Sequence, residues 1–317
     1  MSLAVLFSPQ GSQAVGMGRE LAQRSAAARA VFVEADATLG WAVSEACWAG
    51  PEERLNDTRQ TQPCLLTTSV AAFRALGERV ELRPAMVAGH SVGEYAALVA
   101  AGVLDLDTAL RLVSRRAALM AEADADGGMA AVLGLDRAAV QAVVDGVARP
   151  TELVVANDNA PGQVVISGRL HVLAAAEEPM RAAGARRVVR LAVSGAFHSP
   201  LMAGVAEDLA DAFERETWRD AVVPILSNVT AEPLVDAGRI RALLAEQVRS
   251  PVEWVRCVER MVADGTDVAV ECGPGSALTG MVKRIAPQIR TANVADLAGL
   301  DTAVAVVGGV ATAPASV

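Results

Sequence analysis

The chain has 317 residues, of which 52% are apolar and 21% charged, so it can bury a large core as one domain with an insertion or as two domains, and disorder is excluded. A net charge of −9 opposes general attraction to nucleic acid or anionic membranes, and an aromatic content of 3%, with Tyr95 the one tyrosine, opposes a base-stacking groove. Cys47, Cys64, Cys257 and Cys272 are scattered with no CxxC pair, which points to reduced thiols and away from structural metal, so no metal site is expected.

The opening run Leu3–Phe7 is short, apolar and followed by a turn containing Pro9 and Gly11, the pattern of a strand buried in a parallel sheet. It carries no basic segment and is too short for a secretory signal; no later stretch reaches the length of a membrane span, so a cytoplasmic protein off the membrane is expected. Ala85–Ala88 repeats the strand pattern and runs into a glycine-rich turn, after which Glu94 onward reads as helix. Leu104–Ala123 is helical by period. Residues 126–193 read differently: strand Met129–Leu135, helix Asp136–Val147 with Asp136 as N-cap, strands Leu153–Ala156 and Gln163–Ser167 around Pro161-Gly162, helix Arg169–Ala183, and strand Arg187–Val193. That βαββαβ order is the ferredoxin-like split unit, inserted into a catalytic domain made of 1–125 and 194–317. Val268–Val270 is a further strand before Gly273-Pro274-Gly275, and the small-residue tail after Asp301 is expected to fray. Strands alternating with helices imply an α/β fold with a parallel sheet covered on both faces.

Gly89-His90-Ser91-Val92-Gly93 is a GxSxG sequence between a predicted strand and a predicted helix. Such a turn is sharp; glycines remove side chains that would clash, the serine oxygen stands clear of the sheet, and the amide ends of the new helix face a developing oxyanion, with Val92 N–H the natural first donor. A glycine-bracketed turn that merely contains serine is the bland alternative. A serine nucleophile needs a base, and His90, His171 and His198 are the three histidines. His90 is tied to the turn, His171 falls on an amphipathic helix near Glu177 and Glu178, and His198 stands in the non-periodic stretch Ser194–Pro200, which makes it the best candidate by elimination.

Winding Leu104–Ala123 at 100° per residue places Leu106, Ala109, Val113, Ala117 and Met120 on one stripe, with Arg111 and Arg115 opposite. Arg116 falls inside the apolar sector, and a buried guanidinium needs an anion. That anion is either a core carboxylate in a structural ion pair or the carboxylate of a substrate.

These motifs together resemble the malonyl-CoA:acyl-carrier-protein transacylases and the discrete acyltransferases that serve modular polyketide synthases. The resemblance runs from about Phe7 to Arg284 and rests on Gln10-Gly11-Ser12-Gln13, Thr61-Gln62-Pro63, Gly89-His90-Ser91-Val92-Gly93-Glu94 and Arg116–Met120. It continues through Gly128-Met129-Ala130, Asn157, Pro161–Ile166, Ala196-Phe197-His198, Gln247, Pro251–Trp254 and Glu271–Gly275. It implies an α/β-hydrolase-like core with a ferredoxin-like insertion. It also implies Ser91 as nucleophile, His198 as general acid and base, the amides of Gln10 and Val92 as oxyanion hole, and Arg116 as the grip on the malonyl carboxylate. The main-chain carbonyl near Gln247 would orient the histidine; Gln62, Asn157, Met120 and Phe197 would complete the substrate site.

The reaction implied is ping-pong transfer of malonyl from malonyl-CoA to the phosphopantetheine thiol of an acyl carrier protein, in fatty acid or polyketide biosynthesis, by a monomer with no permanently bound cofactor and coenzyme A thioester as substrate. Arg186, Arg187, Arg190, Lys283 and Arg284 are candidates for the carrier's docking patch, or plain solvated surface. A trans-acting polyketide acyltransferase using methylmalonyl, and a serine acyl hydrolase or editing thioesterase, remain as alternatives. Phe197 beside His198 goes with malonyl in this family and serine there with methylmalonyl; a methyl group is worth only about 1–3 kcal/mol of discrimination. Two departures stand out. The family commonly has Phe-Pro-Gly-Gln-Gly where this chain has Phe7-Ser8-Pro9-Gln10-Gly11, which alters the backbone before Gln10, and Ala117 replaces a common glycine.

Overall fold

The computed structural model describes residues 2–123 and 126–311. Its strands are β1 (Ser2–Phe7), β2 (Met86–Gly89), β3 (Gly127–Leu133), β4 (Leu153–Ala160), β5 (Gln163–Arg169), β6 (Arg187–Arg190), β7 (Ile225–Leu226), β8 (Pro233–Leu234), β9 (Thr266–Cys272) and β10 (Arg290–Val294).

Six of them form one sheet in the order β10-β9-β1-β2-β7-β8. All neighbours run parallel except β8, which pairs antiparallel with β7 at the edge. The continuous apolar character of β1 is explained by its central place. Val5 and Phe7 pack into one core with Val31, Phe32 and Leu66, while Ala4 and Leu6 face the other way onto Trp254, Val258 and Leu278. Helices therefore cover both faces.

The second sheet has the order β4-β5-β3-β6, antiparallel throughout, with helices Arg137–Val147 and Leu170–Ala182 packed on it through Val140, Val144, Leu173 and Met180. This is the ferredoxin-like arrangement, and its first helix is capped by Asp136, whose carboxylate accepts from Ala139 N at 2.8 Å. It is fastened to the parallel layer by backbone bonds between Asp158 N and Val252 O (3.0 Å) and Val252 N and Ala156 O (2.8 Å). Arg137 reinforces this joint by donating to Glu253, and Arg284 donates to Gln163 Oε1 at 2.8 Å.

Two expectations are corrected. The strand expected over Arg187–Val193 ends at Arg190: Leu191 N still donates to Met129 O at 3.0 Å, and the chain then bends so that Leu191, Ala192 and Val193 line a cavity. The tail does not fray at Asp301, because Leu297–Ala311 is helix, held by Leu300, Ala303 and Val307 at helical spacing in the core; residues 312–317 lie outside the described ones. Among the described residues no helix is long and apolar enough to cross a membrane, no cluster of side chains suits a metal ion, and all four cysteines are free and buried.

Candidate active site

The strand β2 ends at Gly89 and helix Gly93–Ala100 begins four residues later, so the chain reverses sharply between them. A Cβ on Gly89 would stand 1.9 Å from the Gly93 carbonyl carbon, and one on Gly93 would stand 2.3 Å from the Phe7 carbonyl oxygen. Both positions demand glycine because backbone meets backbone. Ser91 sits at the apex with φ of 53°, a left-handed conformation that side-chain-bearing residues adopt at a cost of order 1–3 kcal/mol.

His198 is brought to Ser91 by the loop that follows the small sheet, also in a left-handed conformation (φ 58°) fixed by its own N–H on Val248 O at 2.8 Å. Its Nε2 lies 2.8 Å from Ser91 Oγ. Its Nδ1 faces two carbonyl oxygens, Gln247 O at 2.9 Å and Ser250 O at 3.2 Å. Two acceptors at Nδ1 keep the proton there and leave Nε2 to accept from the serine hydroxyl. Burial, and then the nearby Arg116 charge, push the imidazole down to about 3, so the ring is neutral. A substrate anion on Arg116 would cancel part of that charge and raise the basicity of the ring once cargo is bound.

Arg116, 1% exposed, comes from helix Leu106–Glu122. Its Nη1 donates to Gln62 Oε1 at 2.7 Å; its Nη2 donates to Gln247 Oε1 at 3.1 Å and to Ser91 Oγ at 3.0 Å. Its Nε has no hydrogen-bond partner among the described residues, and its guanidinium carbon stands 5.8 Å over the Tyr95 ring. No carboxylate among the described residues lies within ion-pair distance of it. Glu94 is the acid whose field reaches it, and burial raises that carboxyl to about 7. The cation beside the nucleophile therefore faces neutral amides and, farther off, a carboxyl whose burial favours its protonated form.

A cavity of about 370 Å³ opens over Ser91 and His198, walled by Gln10, Met120, Asn157 and Phe197 among others. Gln62, Val92, Arg116 and Gln247 stand behind that wall. Neither the Gln10 nor the Val92 amide is taken by a backbone acceptor among the described residues. Upstream of Gln10, Ser8 is buried, and its hydroxyl donates to Glu271 Oε1 at 3.3 Å. That carboxylate also accepts from Leu278 N at 3.1 Å and Thr279 N at 2.8 Å. The unusual Ser8-Pro9 pair is thus moored to a helix start.

Four contributions were invisible in the sequence. The Gln247 side chain, besides its carbonyl, accepts from Arg116 and donates to Ser91 O at 3.0 Å and to Glu94. Glu94 stands in the sequence only as the residue after the turn motif, with no sign of its burial. Asn159 meets His90 Nε2 at 2.8 Å, beside Trp254, so this ring nitrogen is engaged outside the serine relay. Asn228 bonds across the turn itself. The arrangement joins a serine hydroxyl, a neutral imidazole that can take its proton, and a cationic fork that can hold a carboxylate next to the reacting carbon.

Comparison with known proteins places these features in a family. The acyl transferase domain matches residues 5–303. The chain is 41% identical over 305 residues to the malonyl CoA-acyl carrier protein transacylase of Bacillus subtilis strain 168, covering 95% of this chain and 96% of that one. The crystal structure of an acyl-carrier-protein S-malonyltransferase from Burkholderia pseudomallei 1710b superimposes with a TM-score of 0.94 at 37% identity, over 96% of this chain and 100% of that one. A malonyl-transacylase solved in complex with its type II polyketide synthase acyl-carrier protein gives 0.93 at 39% identity, over 96% and 99%. The chain belongs to the acyl transferase domain family.

Proposed function

We propose that this chain moves a malonyl group from malonyl-CoA to the phosphopantetheine thiol of an acyl carrier protein, with Ser91 as nucleophile and His198 as general base and acid. The observation that carries the reading is Arg116: a buried guanidinium with no ion-pair partner among the described residues, one arm of which already touches the Ser91 hydroxyl. The free carboxylate of a malonyl group is two bonds from the carbonyl that serine attacks, so the nucleophile and the cation are spaced for the two ends of one small acyl group.

In this reading Ser91 Oγ attacks the thioester carbonyl as its proton passes to His198 Nε2. The tetrahedral oxyanion lies against the Gln10 and Val92 amides, and coenzyme A leaves as its thiol, protonated by His198. The carrier's thiol then attacks the malonyl-serine ester, with His198 again taking the proton, and the serine hydroxyl is restored. Arg116 holds the acyl group through both steps, with Gln62 and Gln247 fixing the guanidinium. The Gln247 carbonyl orients His198 where a hydrolase would use a carboxylate, which disfavours a plain hydrolase. Met120, Asn157 and Phe197 wall the acyl pocket. Residues 126–193 form the small subdomain that closes the cavity on one side, and the remainder the catalytic domain. Exposed Arg186, Arg187 and Lys283 offer the carrier a local positive surface on a chain of net charge −9. Every group invoked comes from one chain, so the reading needs no second copy.

The test is incubation with malonyl-CoA and acetyl-CoA, intact-mass measurement, and then addition of a phosphopantetheinylated carrier. Malonyl on Ser91 that passes to the carrier is expected; acetyl loading as efficient as malonyl would remove the reading.

A further inference from the structure

The nucleophile turn is strained, and of the backbone bonds within residues 89–93 only Gly93 N to His90 O closes it locally, while His90 N donates to Phe7 O, so groups outside the turn hold Ser91 in place. The candidate follows β7, the neighbour of β2, in the turn Ser227–Thr230. Asn228 is fully buried. Its Oδ1 accepts from Ser91 N at 2.6 Å, and its Nδ2 donates to Gly89 O at 2.7 Å. Its backbone carbonyl accepts from Glu253 N at 2.8 Å, and its amide is among the groups that favour the Glu94 carboxylate. One amide side chain therefore spans the two residues between which the chain turns, with both ends satisfied.

We infer that Asn228 is a positioning residue for acyl transfer, holding Ser91 in its left-handed conformation and aiming the hydroxyl at His198; this rests on the reading of Ser91 as nucleophile. The geometry gives the bond a second effect. A serine N–H left free beside the Val92 N–H would compete for the oxyanion and draw it off the reacting line; engagement with Asn228 leaves the Val92 amide as the turn's donor. Asparagine suits the task because it presents an acceptor and a donor at once, and the two bonds run to groups of opposite demand. Aspartate keeps the acceptor for Ser91 N but places a second acceptor against the Gly89 carbonyl.

Misplacing a reacting group by about 1 Å costs on the order of 100-fold in rate, and Asn228→Ala is expected to slow Ser91 acylation by about that factor. The rate of malonyl loading is measured by rapid quench and intact mass in the wild-type protein, Asn228→Ala and Asn228→Asp. Thermal unfolding is recorded for each, and malonyl-CoA affinity is measured by calorimetry with each change placed on a Ser91→Ala background. Support is a loading rate at least tenfold below wild type while affinity on the Ser91→Ala background stays within threefold. Loading within threefold of wild type overturns the proposal. So does an equal loss of affinity and loading, which marks a merely structural residue. Should Asn228→Ala fail to fold, Asn228→Asp is judged by the same two readings. Wild-type protein that loads no malonyl on Ser91 instead overturns the proposed function, and the two failures are thereby distinct.

Discussion

Replacing Arg116 by alanine should erase the preference for a carboxylated acyl group more than it erases catalysis. Nε has no partner among the described residues, while Nη2, on the same edge of the guanidinium, donates to Ser91 Oγ and Gln247 Oε1; a malonyl carboxylate seated there would gain the Nε bond and take one Nη2 hydrogen over from a neutral acceptor, two charged hydrogen bonds in all. Hydrogen bonds to charged groups contribute about 1.5–3 kcal/mol each, and the neutral bond given up at Nη2 about 1 kcal/mol, so the net is roughly 2–5 kcal/mol, or about 30- to 5,000-fold in kcat/KM for malonyl-CoA. Acetyl-CoA makes no such bonds and should lose far less. Collateral damage is bounded by the surroundings. Gln62 Oε1 and Gln247 Oε1 each lose a buried donor, at about 1–3 kcal/mol of stability apiece. Glu94, deprived of the cation's field, moves further up and stays protonated, so no buried charge is stranded. Arg116→Lys, which keeps the charge without the fork, should fall between the two. The measurement is the ratio of kcat/KM for malonyl-CoA and acetyl-CoA by acyl-enzyme formation. A ratio unchanged from wild type in Arg116→Ala would refute the argument from the partnerless guanidinium.

Phe197 is buried in the cavity wall next to His198, and Phe197→Ser should open room for a branch on the acyl carbon, shifting the ratio of methylmalonyl to malonyl kcat/KM upward by about 10-fold or more; competition between the two thioesters reads it, and an unchanged ratio removes Phe197 as a selectivity determinant. Glu94 gives a pH signature. Its carboxyl, at about 7 in the fold against an ordinary 4.5, keeps a proton that the unfolded chain has released. Its contribution to stability is thus fully present below 4.5 and lost as pH rises to 7, by about 3 kcal/mol in all. Denaturant titrations at pH 5 and 8 should show Glu94→Gln gaining on the wild type at the higher pH; a difference between the two proteins that does not change with pH contradicts the assignment.

How far these groups could be read beforehand depends on whether each leaves a periodic or steric trace. The turn at Ser91 was legible because two glycines bracket it between an apolar run and a helical one, and the clash distances at Gly89 and Gly93 give the reason for both. Arg116 was legible because a charge inside a helical apolar stripe breaks a strong period. His198 emerged only because the chain has three histidines. The Gln247 side chain left no trace, since a glutamine at a helix end looks the same whether it faces solvent or three buried polar groups. Asn228 reads as one more turn asparagine until the strand before it is known to lie beside β2. Strands of two residues, such as β7 and β8, show no alternation to detect. Helix Thr58–Arg79 carries Pro63, a residue that ordinarily marks an end, close to its start, where few backbone bonds are given up.

The place of β1 has a consequence for synthesis. It precedes both of its partners in the chain by a long way: they arrive with residues 86–89 and 266–272. Until the second emerges from the ribosome, one row of its peptide groups stays open along a hydrophobic ribbon. That open edge is the kind that recruits stray chains, so a stalled or truncated product is an aggregation hazard. The loop bearing Gln10 hangs from the same strand, so its final support waits for residues 266–272. A fragment that ends just before residue 266 carries every catalytic and pocket residue named above, yet lacks one neighbour of the strand from which the Gln10 loop hangs.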